Sequence, residues 1–278
     1  MQIWEAIVLG VVEGVTEFLP VSSTGHLTIT EKLMGIPIDD KGVTAFTAVI
    51  QVGAILAAII YFRKDIIRFI VGLFKGLASA EGRQHEDWRM AINVIVGSVP
   101  IVIVGLAFKD VIEGALRSMW FVAAGLVVWS VVMVLGDHLG KQKRAEGDVT
   151  WKDSLIIGLA QCVAVIPGVS RSGATISMSL FRGLDRVTAT RLSFFLGIPA
   201  LTGGGVLEGV SQSKEIAATV GWGATAMGTA ISFVVAYVSI AWLLRYVAGH
   251  TFSAFVYYRV ALGGILVGLL ATGAMTAT

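Results

Sequence analysis

One stretch near the N-terminus limits what this chain can fold into more than any other: Glu13-Gly-Val-Thr-Glu17-Phe-Leu-Pro20-Val-Ser22-Ser23-Thr24-Gly25-His26. It lies inside a hydrophobic segment, yet it gathers two carboxylates, several hydroxyls, a proline and a histidine. A second polar break, Pro167-Gly168-Val169-Ser170-Arg171-Ser172-Gly173-Ala174-Thr175, interrupts another hydrophobic segment in the other half of the chain. Ionisable side chains at membrane depth are costly and mark functional sites by default. The expectation is that the two breaks meet and form one site for a phosphorylated lipid.

The membrane setting follows from composition. Of 278 residues, 55% are hydrophobic and 14% charged, against roughly 25% charged in soluble domains. The 33 glycines fit this setting, because glycine is more frequent in membrane helices than in soluble ones. A net charge of +2 gives no reason to expect nucleic acid as a partner, and the single cysteine, Cys162, excludes an internal disulfide. The N-terminus lacks the basic region and cleavage site of a secretory signal, so the first hydrophobic segment is expected to be retained.

Six segments are apolar and long enough to span: Ala45–Phe62, Met90–Phe108, Met119–Leu135, Leu192–Leu207, Gly221–Leu244 and Phe252–Met275. A bilayer core needs about 20 apolar residues in a helix, within a range of about 17–25. Leu192–Leu207 is the weakest, being short and carrying Pro199 and Gly203-Gly204-Gly205. The broken segments, Gln2–Met34 and Ser154–Arg182, are each either a span plus a loop or two half-helices that enter and leave on one side. Non-helical backbone at that depth is tolerated only where protein or water satisfies it.

The halves resemble each other. At an offset of 148 residues, Gly10 falls on Gly158, Glu13 on Gln161, Val21 on Val169, Ser22 on Ser170 and Gly25 on Gly173. Each broken segment is followed by three spans. The fold expected is therefore an all-α polytopic membrane protein of two inverted-topology repeats, residues 1–148 and 149–278, within one integrated membrane domain. Each repeat has a re-entrant helix-loop-helix plus three transmembrane helices, giving six full spans and two re-entrant pairs.

With re-entrant breaks, Lys32, Lys41, Lys109, Arg117 and Lys214 fall on one side. The basic residues of Arg63–Arg89, Lys141–Lys152 and Arg182–Arg191, with Arg245, fall on the other, a count of 14 against 5. The positive-inside rule then puts the crowded side in the cytoplasm and both termini outside. Full spans at the breaks would scatter these charges.

Glu13 and Glu17, one helical turn apart, share a face and would repel unless a cation bridges them. Mg²⁺ or Ca²⁺ suits carboxylate oxygens shared with phosphate; the alternative is a protonated carboxylate or one paired with a base. Ser22, Ser23, Thr24 and Gly25 follow Pro20 and precede a new helix expected from His26, whose N-terminus collects oxyanions, although a hydroxyl there can equally be a simple cap. His26 can serve as acid, base or nucleophile near neutral pH. Arg171, between Ser170 and Ser172, suits a bidentate grip on phosphate or a salt bridge to Glu13 or Glu17. Gln51 lies within reach of the site or makes a helix–helix hydrogen bond. His85, His138 and His250 read as solvated loop residues, and Arg259 has no evident partner.

The two motifs resemble those of undecaprenyl-diphosphate phosphatases of the bacitracin-resistance type, over essentially the whole chain. The resemblance implies removal of the terminal phosphate of undecaprenyl diphosphate at the bacterial inner membrane, with a divalent cation and a site open toward the outer face. It places Glu13, Glu17, Ser23, His26 and Arg171 in catalysis, Glu13 and Glu17 also at the metal. Substrate would be bound by Ser22, Thr24, Gly25, Ser170, Ser172, Gly173 and Thr175. Ser23 with His26 as its base is the favoured nucleophile, and direct attack by His26 is the rival.

Inverted repeats with broken helices also describe secondary transporters, so a lipid-phosphate flippase or anion transporter is the competing function. A scaffold without chemistry leaves the polar breaks unexplained. Gly263-Gly264 and Gly268 offer a small-residue face for a helix of this chain or of a second copy, a homodimer being one outcome.

Overall fold

A computed structural model describes residues 1–108 and 118–277; Lys109 and Arg117 lie outside them. The described residues form helices α1 (Ile3–Thr16), α2 (Ser23–Leu33), α3 (Lys41–Tyr61), α4 (Arg63–Ala78), α5 (Glu86–Ala107) and α6 (Met119–Leu139) in the first half. In the second half come α7 (Trp151–Gln161), α8 (Arg171–Phe181), α9 (Arg186–Ser211), α10 (Trp222–Val247) and α11 (Ser253–Ala271). Among them the only β pairing is an isolated bridge between Arg144 and Leu184.

Among the described residues six helices, α3, α5, α6, α9, α10 and α11, are long and apolar enough to cross a membrane. The chain is a multi-pass membrane protein. Each expected span corresponds to one of these helices. The weakest expectation, Leu192–Leu207, is part of the 26-residue α9. Its N-terminus is set by Asp185, whose carboxylate accepts from Thr188 N at 2.9 Å, six residues before the apolar run begins. Pro199 is carried inside that helix. Likewise α6 continues past Leu135 to Leu139, so His138 belongs to its last turn rather than to a loop.

Helix α4 lies where the sequence reads as a charged connection. It is amphipathic: Phe69, Gly72 and Gly76 are buried against the bundle, while Ile67, Ile70, Phe74 and Leu77 stay exposed. An exposed apolar face beside Arg63, Lys64, Arg68 and Lys75 suits a helix lying in the membrane interface.

The two ends of the bundle differ. At one end the N-terminal amine donates to Thr219 O at 3.0 Å, Lys32 Nζ to Thr276 O at 3.0 Å, and Met119 N to Ala277 O at 2.9 Å. Both termini and the end of α2 therefore share that end. At the other end Arg191 pairs with Asp65 (3.1 Å) and Glu146 (2.7 Å), Arg186 with Asp137 (2.6 Å), and Arg68 with Asp87 (2.7 Å). Arg144 and Arg182 both pair with Asp153, at 2.5 and 2.8 Å. Asp153 opens α7 and Arg182 follows α8, so this helix pair begins and finishes at one place.

Between the ends, α1 packs against α10 and α7 against α5. An aromatic group ties the first break to α9: Phe18 meets Phe194 edge-on at 4.9 Å, and Phe195 contacts Phe62 and Phe69 at 5.1 Å. Gly263 packs on α6 within the chain, whereas Gly264 and Gly268 face open space.

Candidate active site

Both breaks end in a serine that caps the next helix from an unusual backbone conformation. Ser22 has φ 78° and accepts from Gly25 N at 3.4 Å; Ser170 has φ 77° and accepts from Gly173 N at 3.1 Å. Positive φ is uncommon for residues other than glycine and is found where surrounding structure enforces it. Here the enforcing structure is the other break. Ser22 Oγ also accepts from Gly168 N at 3.2 Å, and Ser172 Oγ donates to Leu19 O at 2.9 Å. The two breaks meet, as the sequence led us to expect.

Arg259 completes the junction. It is fully buried and donates to Pro20 O (3.1 Å) in the first break and to Gly168 O (2.9 Å) and Val169 O (3.1 Å) in the second. Further bonds reach Gly125 O and Ser130 Oγ on α6, both at 3.1 Å. None of these acceptors carries a charge. The residue without an evident partner in the sequence is thus a clamp on carbonyls that the breaks leave outside helices. Gly168, at φ +92°, allows α6 to pass directly over the second break, because a Cβ there would collide with the Val122 backbone.

At the centre, Arg171 Nη2 pairs with Glu17 Oε1 at 3.1 Å and its Nη1 donates to Ser193 O at 2.9 Å. Glu17 Oε2 accepts from Ser23 Oγ at 2.7 Å and from Gln51 Nε2 at 3.1 Å. Gln51 therefore reaches the site. A Cβ on Gly197 of α9 would overlap the Arg171 guanidinium, so that glycine makes the room the guanidinium occupies.

His26 is turned elsewhere. Its Nδ1 lies 2.7 Å from Ser22 O and its Nε2 2.6 Å from Tyr258 OH, with the two rings stacked at 5.5 Å. A carbonyl only accepts, so Nδ1 carries a proton, while Nε2 and the Tyr258 hydroxyl share the second hydrogen bond. Ser23 donates to Glu17 rather than to His26, so the group that accepts from the Ser23 hydroxyl is a carboxylate.

Glu13 is fully buried and neither carboxylate oxygen has a hydrogen-bond partner. An isolated buried carboxylate is costly, so the position suits a proton or a cation. Among the described residues no three His, Cys, Asp or Glu side chains gather as a metal cage. A cation shared by two carboxylates and substrate oxygens fits Glu13 and Glu17; an all-protein cage does not.

Two adjoining cavities open at the junction and share Ser23, Thr24 and Gln51 in their walls. The larger, about 380 Å³, includes Glu13, Glu31 and Glu208; the smaller, about 160 Å³, includes Glu17, Gln161, Ser170 and Arg171. Not every residue expected to bind substrate offers a free group. Thr175 spends its hydroxyl on Arg171 O, Ser172 O and Ser193 Oγ, while Ser172 spends its own on Leu19 and Ser170. Gly25 and Gly173 contribute the amides capped by Ser22 and Ser170. These four hold the two helix N-termini in place.

Tyr258, Ser193 and Gly197 were not legible as site residues. Tyr258 meets His26 across 232 positions of sequence, and nothing local to Phe252–Met275 marks it.

Carboxylates, a serine and an arginine thus converge where two helix N-termini meet inside a polytopic helical membrane protein, an arrangement suited to holding a phosphorylated group. The family is shown by similarity. Residues 6–265 match the family model described as "Bacitracin resistance protein BacA". The chain is 57% identical over 278 residues to Undecaprenyl-diphosphatase 3 of Frankia casuarinae, covering 100% of both chains. It is 55% identical to Undecaprenyl-diphosphatase 1 of Streptomyces avermitilis (99% of both chains) and 52% identical to the Undecaprenyl-diphosphatase of Cutibacterium acnes (98% of both). The chain belongs to the bacitracin resistance protein BacA family.

Proposed function

We infer that this chain hydrolyses undecaprenyl diphosphate to undecaprenyl phosphate and inorganic phosphate, returning the lipid carrier to cell-wall synthesis. Full-length similarity to proteins of that name supports the activity. The observation that carries the chemistry is the chain of contacts from Ser23 through Glu17 to Arg171. It would give a hydroxyl nucleophile and a cation that both bond to one carboxylate, at 2.7 and 3.1 Å, where two helix N-termini converge.

In this reading Ser23 Oγ attacks the terminal phosphorus and Glu17 takes the hydroxyl proton. The bond from that phosphorus to the bridging oxygen breaks, and undecaprenyl phosphate leaves. Arg171 stabilises the charge on the transferring phosphoryl group. Glu17 gives that proton up to the departing phosphate or to solvent, then takes one from the water that attacks the phosphoserine phosphorus. It returns that proton to Ser23 Oγ as the bond from phosphorus to the serine oxygen breaks, and inorganic phosphate departs. His26 acts on this sequence through its hydrogen bond to the Ser22 carbonyl, as a positioning residue. Glu13 and Glu17 would hold a divalent cation, Mg²⁺ or Ca²⁺, which supplies charge neutralisation to the diphosphate. Ser22, Thr24 and Ser170 line the cavity that would receive the headgroup.

The same reading takes α1–α2 and α7–α8 as re-entrant pairs in two inverted repeats, residues 1–148 and 149–278. Matching caps at Ser22 and Ser170, and the crossed packing of α1 on α10 and α7 on α5, support it. The positive-inside rule places the ion-paired end in the cytoplasm of a bacterial inner membrane, with the termini and site toward the outer face. The test is phosphate release from a prenyl diphosphate by purified protein in detergent with Mg²⁺ or Ca²⁺. Release is expected, and its absence across both metals would overturn the assignment.

A further inference from the structure

Gln161, the last residue of α7, is fully buried, and neither its amide nitrogen nor its amide oxygen has a hydrogen-bond partner. Leaving a buried donor or acceptor unpaired is costly, so an orphaned carboxamide is expected where a ligand completes its bonding. Gln161 lines the 160 Å³ cavity together with Ser23, Glu17 and Arg171. A second orphaned donor is present there: Arg171 Nε is also buried and unpartnered, although the other guanidinium nitrogens are occupied.

Position adds an independent argument. Gln161 stands ten residues before Arg171, as Glu13 stands ten residues before Ser23, and both precede the break on the first helix of their pair. The first half thus brings an acid to that place and the second an amide of the same length. The difference has a physical reason. The smaller cavity already contains the Glu17 carboxylate, and a further anion would repel a diphosphate, whereas a carboxamide N–H donates to one.

We propose that Gln161 is a substrate-contacting residue, donating from Nε2 to a non-bridging oxygen of the terminal phosphoryl group beside Arg171 Nε. This deepens the phosphatase reading and rests on it. The ligand chemistry is that of a phosphate oxyanion with at least two acceptor oxygens.

The test compares wild type with Gln161→Leu and Gln161→Glu in detergent with Mg²⁺. It measures kcat and KM on a prenyl diphosphate, inhibition by inorganic phosphate, and thermal unfolding. Leucine fills similar space without polar atoms. Removing an unpaired carboxamide should therefore leave the melting temperature unchanged or raise it, while kcat/KM falls about 10- to 100-fold and inhibition by inorganic phosphate weakens in parallel. Glutamate should cost at least as much activity as leucine, by adding a like charge. Three results would overturn the proposal: kcat/KM unchanged in Gln161→Leu, a lowered melting temperature accompanying the lost activity, or phosphate inhibition that stays at the wild-type level. Failure of the wild type to release phosphate would instead count against the phosphatase reading itself.

Discussion

The Ser23 hydroxyl donates to Glu17 Oε2 at 2.7 Å, and the same carboxylate reaches Arg171 through its other oxygen at 3.1 Å. One glutamate on the first break therefore joins the hydroxyl beside it to a cation contributed 154 residues later.

If Glu17 is the base for Ser23, Glu17→Gln keeps the shape and removes the proton acceptor. Turnover should fall by about 10²–10⁴, the usual contribution of a general base. Ser23→Ala should fall at least as far, and the double variant little further, since the two act as a unit. Additive losses in steady-state kinetics would show that they act separately.

Arg171 presents a planar fork that lysine lacks. Arg171→Lys should lower kcat/KM by about 10²- to 10³-fold, the range seen when one donor to a developing oxyanion is removed. Gly197→Ala should imitate it in part, because the new methyl occupies guanidinium space. A Gly197→Ala enzyme with wild-type kinetics would contradict the packing described here.

Glu13 is the carboxylate without a protein partner, so Glu13→Gln should act mainly through the metal. The Mg²⁺ or Ca²⁺ concentration for half-maximal activity is expected to rise about 10- to 100-fold, and chelation should silence the wild type. An unchanged metal titration would remove Glu13 from the cation site.

At the opposite end, Asp153 is buried, which alone would raise its carboxyl, but hydrogen bonds from Arg144, Thr150 and Arg182 prevail and hold it well below the ordinary carboxylate range. A carboxyl depressed on folding gives stability that is fully present above about pH 4, its unfolded range, and is lost as pH falls through the folded value. Both arginines remain partly exposed, so the stabilisation is discounted for solvent screening. Asp153→Asn should cost about 1–3 kcal/mol, read as a lower melting temperature at pH 7. The difference from wild type should shrink only below pH 4.

Sidedness can be read with a membrane-impermeant maleimide in a Cys162→Ser background. Lys214 and Lys141 are both exposed, in different connections. Cysteine at Lys214 should label in intact cells, and cysteine at Lys141 only after permeabilisation. The reverse pattern would turn the protein over in the membrane.

The spans and the polar breaks were legible because each rests on local pattern: run length for α3, α5, α6, α10 and α11, and ionisable residues in apolar surroundings for the breaks. Helix α4 escaped because its charges resemble a loop, and its apolar face emerges only at helical spacing, through Ile66, Phe69, Ile70, Leu73 and Leu77. The start of α9 escaped because an Asp185 cap and two arginines precede its apolar run. Residue types named Glu17, Ser23 and Arg171, but not their pairing. That Glu17 rather than His26 meets Ser23 depends on how α2 leaves the first break, and that His26 meets Tyr258 depends on α11. Neither is a local property.

In the proposed mechanism Ser23 takes the phosphoryl group while Glu17 takes its proton. The most direct test is a rapid acid quench of purified protein turning over a prenyl diphosphate labelled in its terminal phosphate, followed by peptide mapping. An acid-stable label is expected on the peptide containing Ser23 and absent from Ser23→Ala. An acid-labile label on His26 would contradict that mechanism.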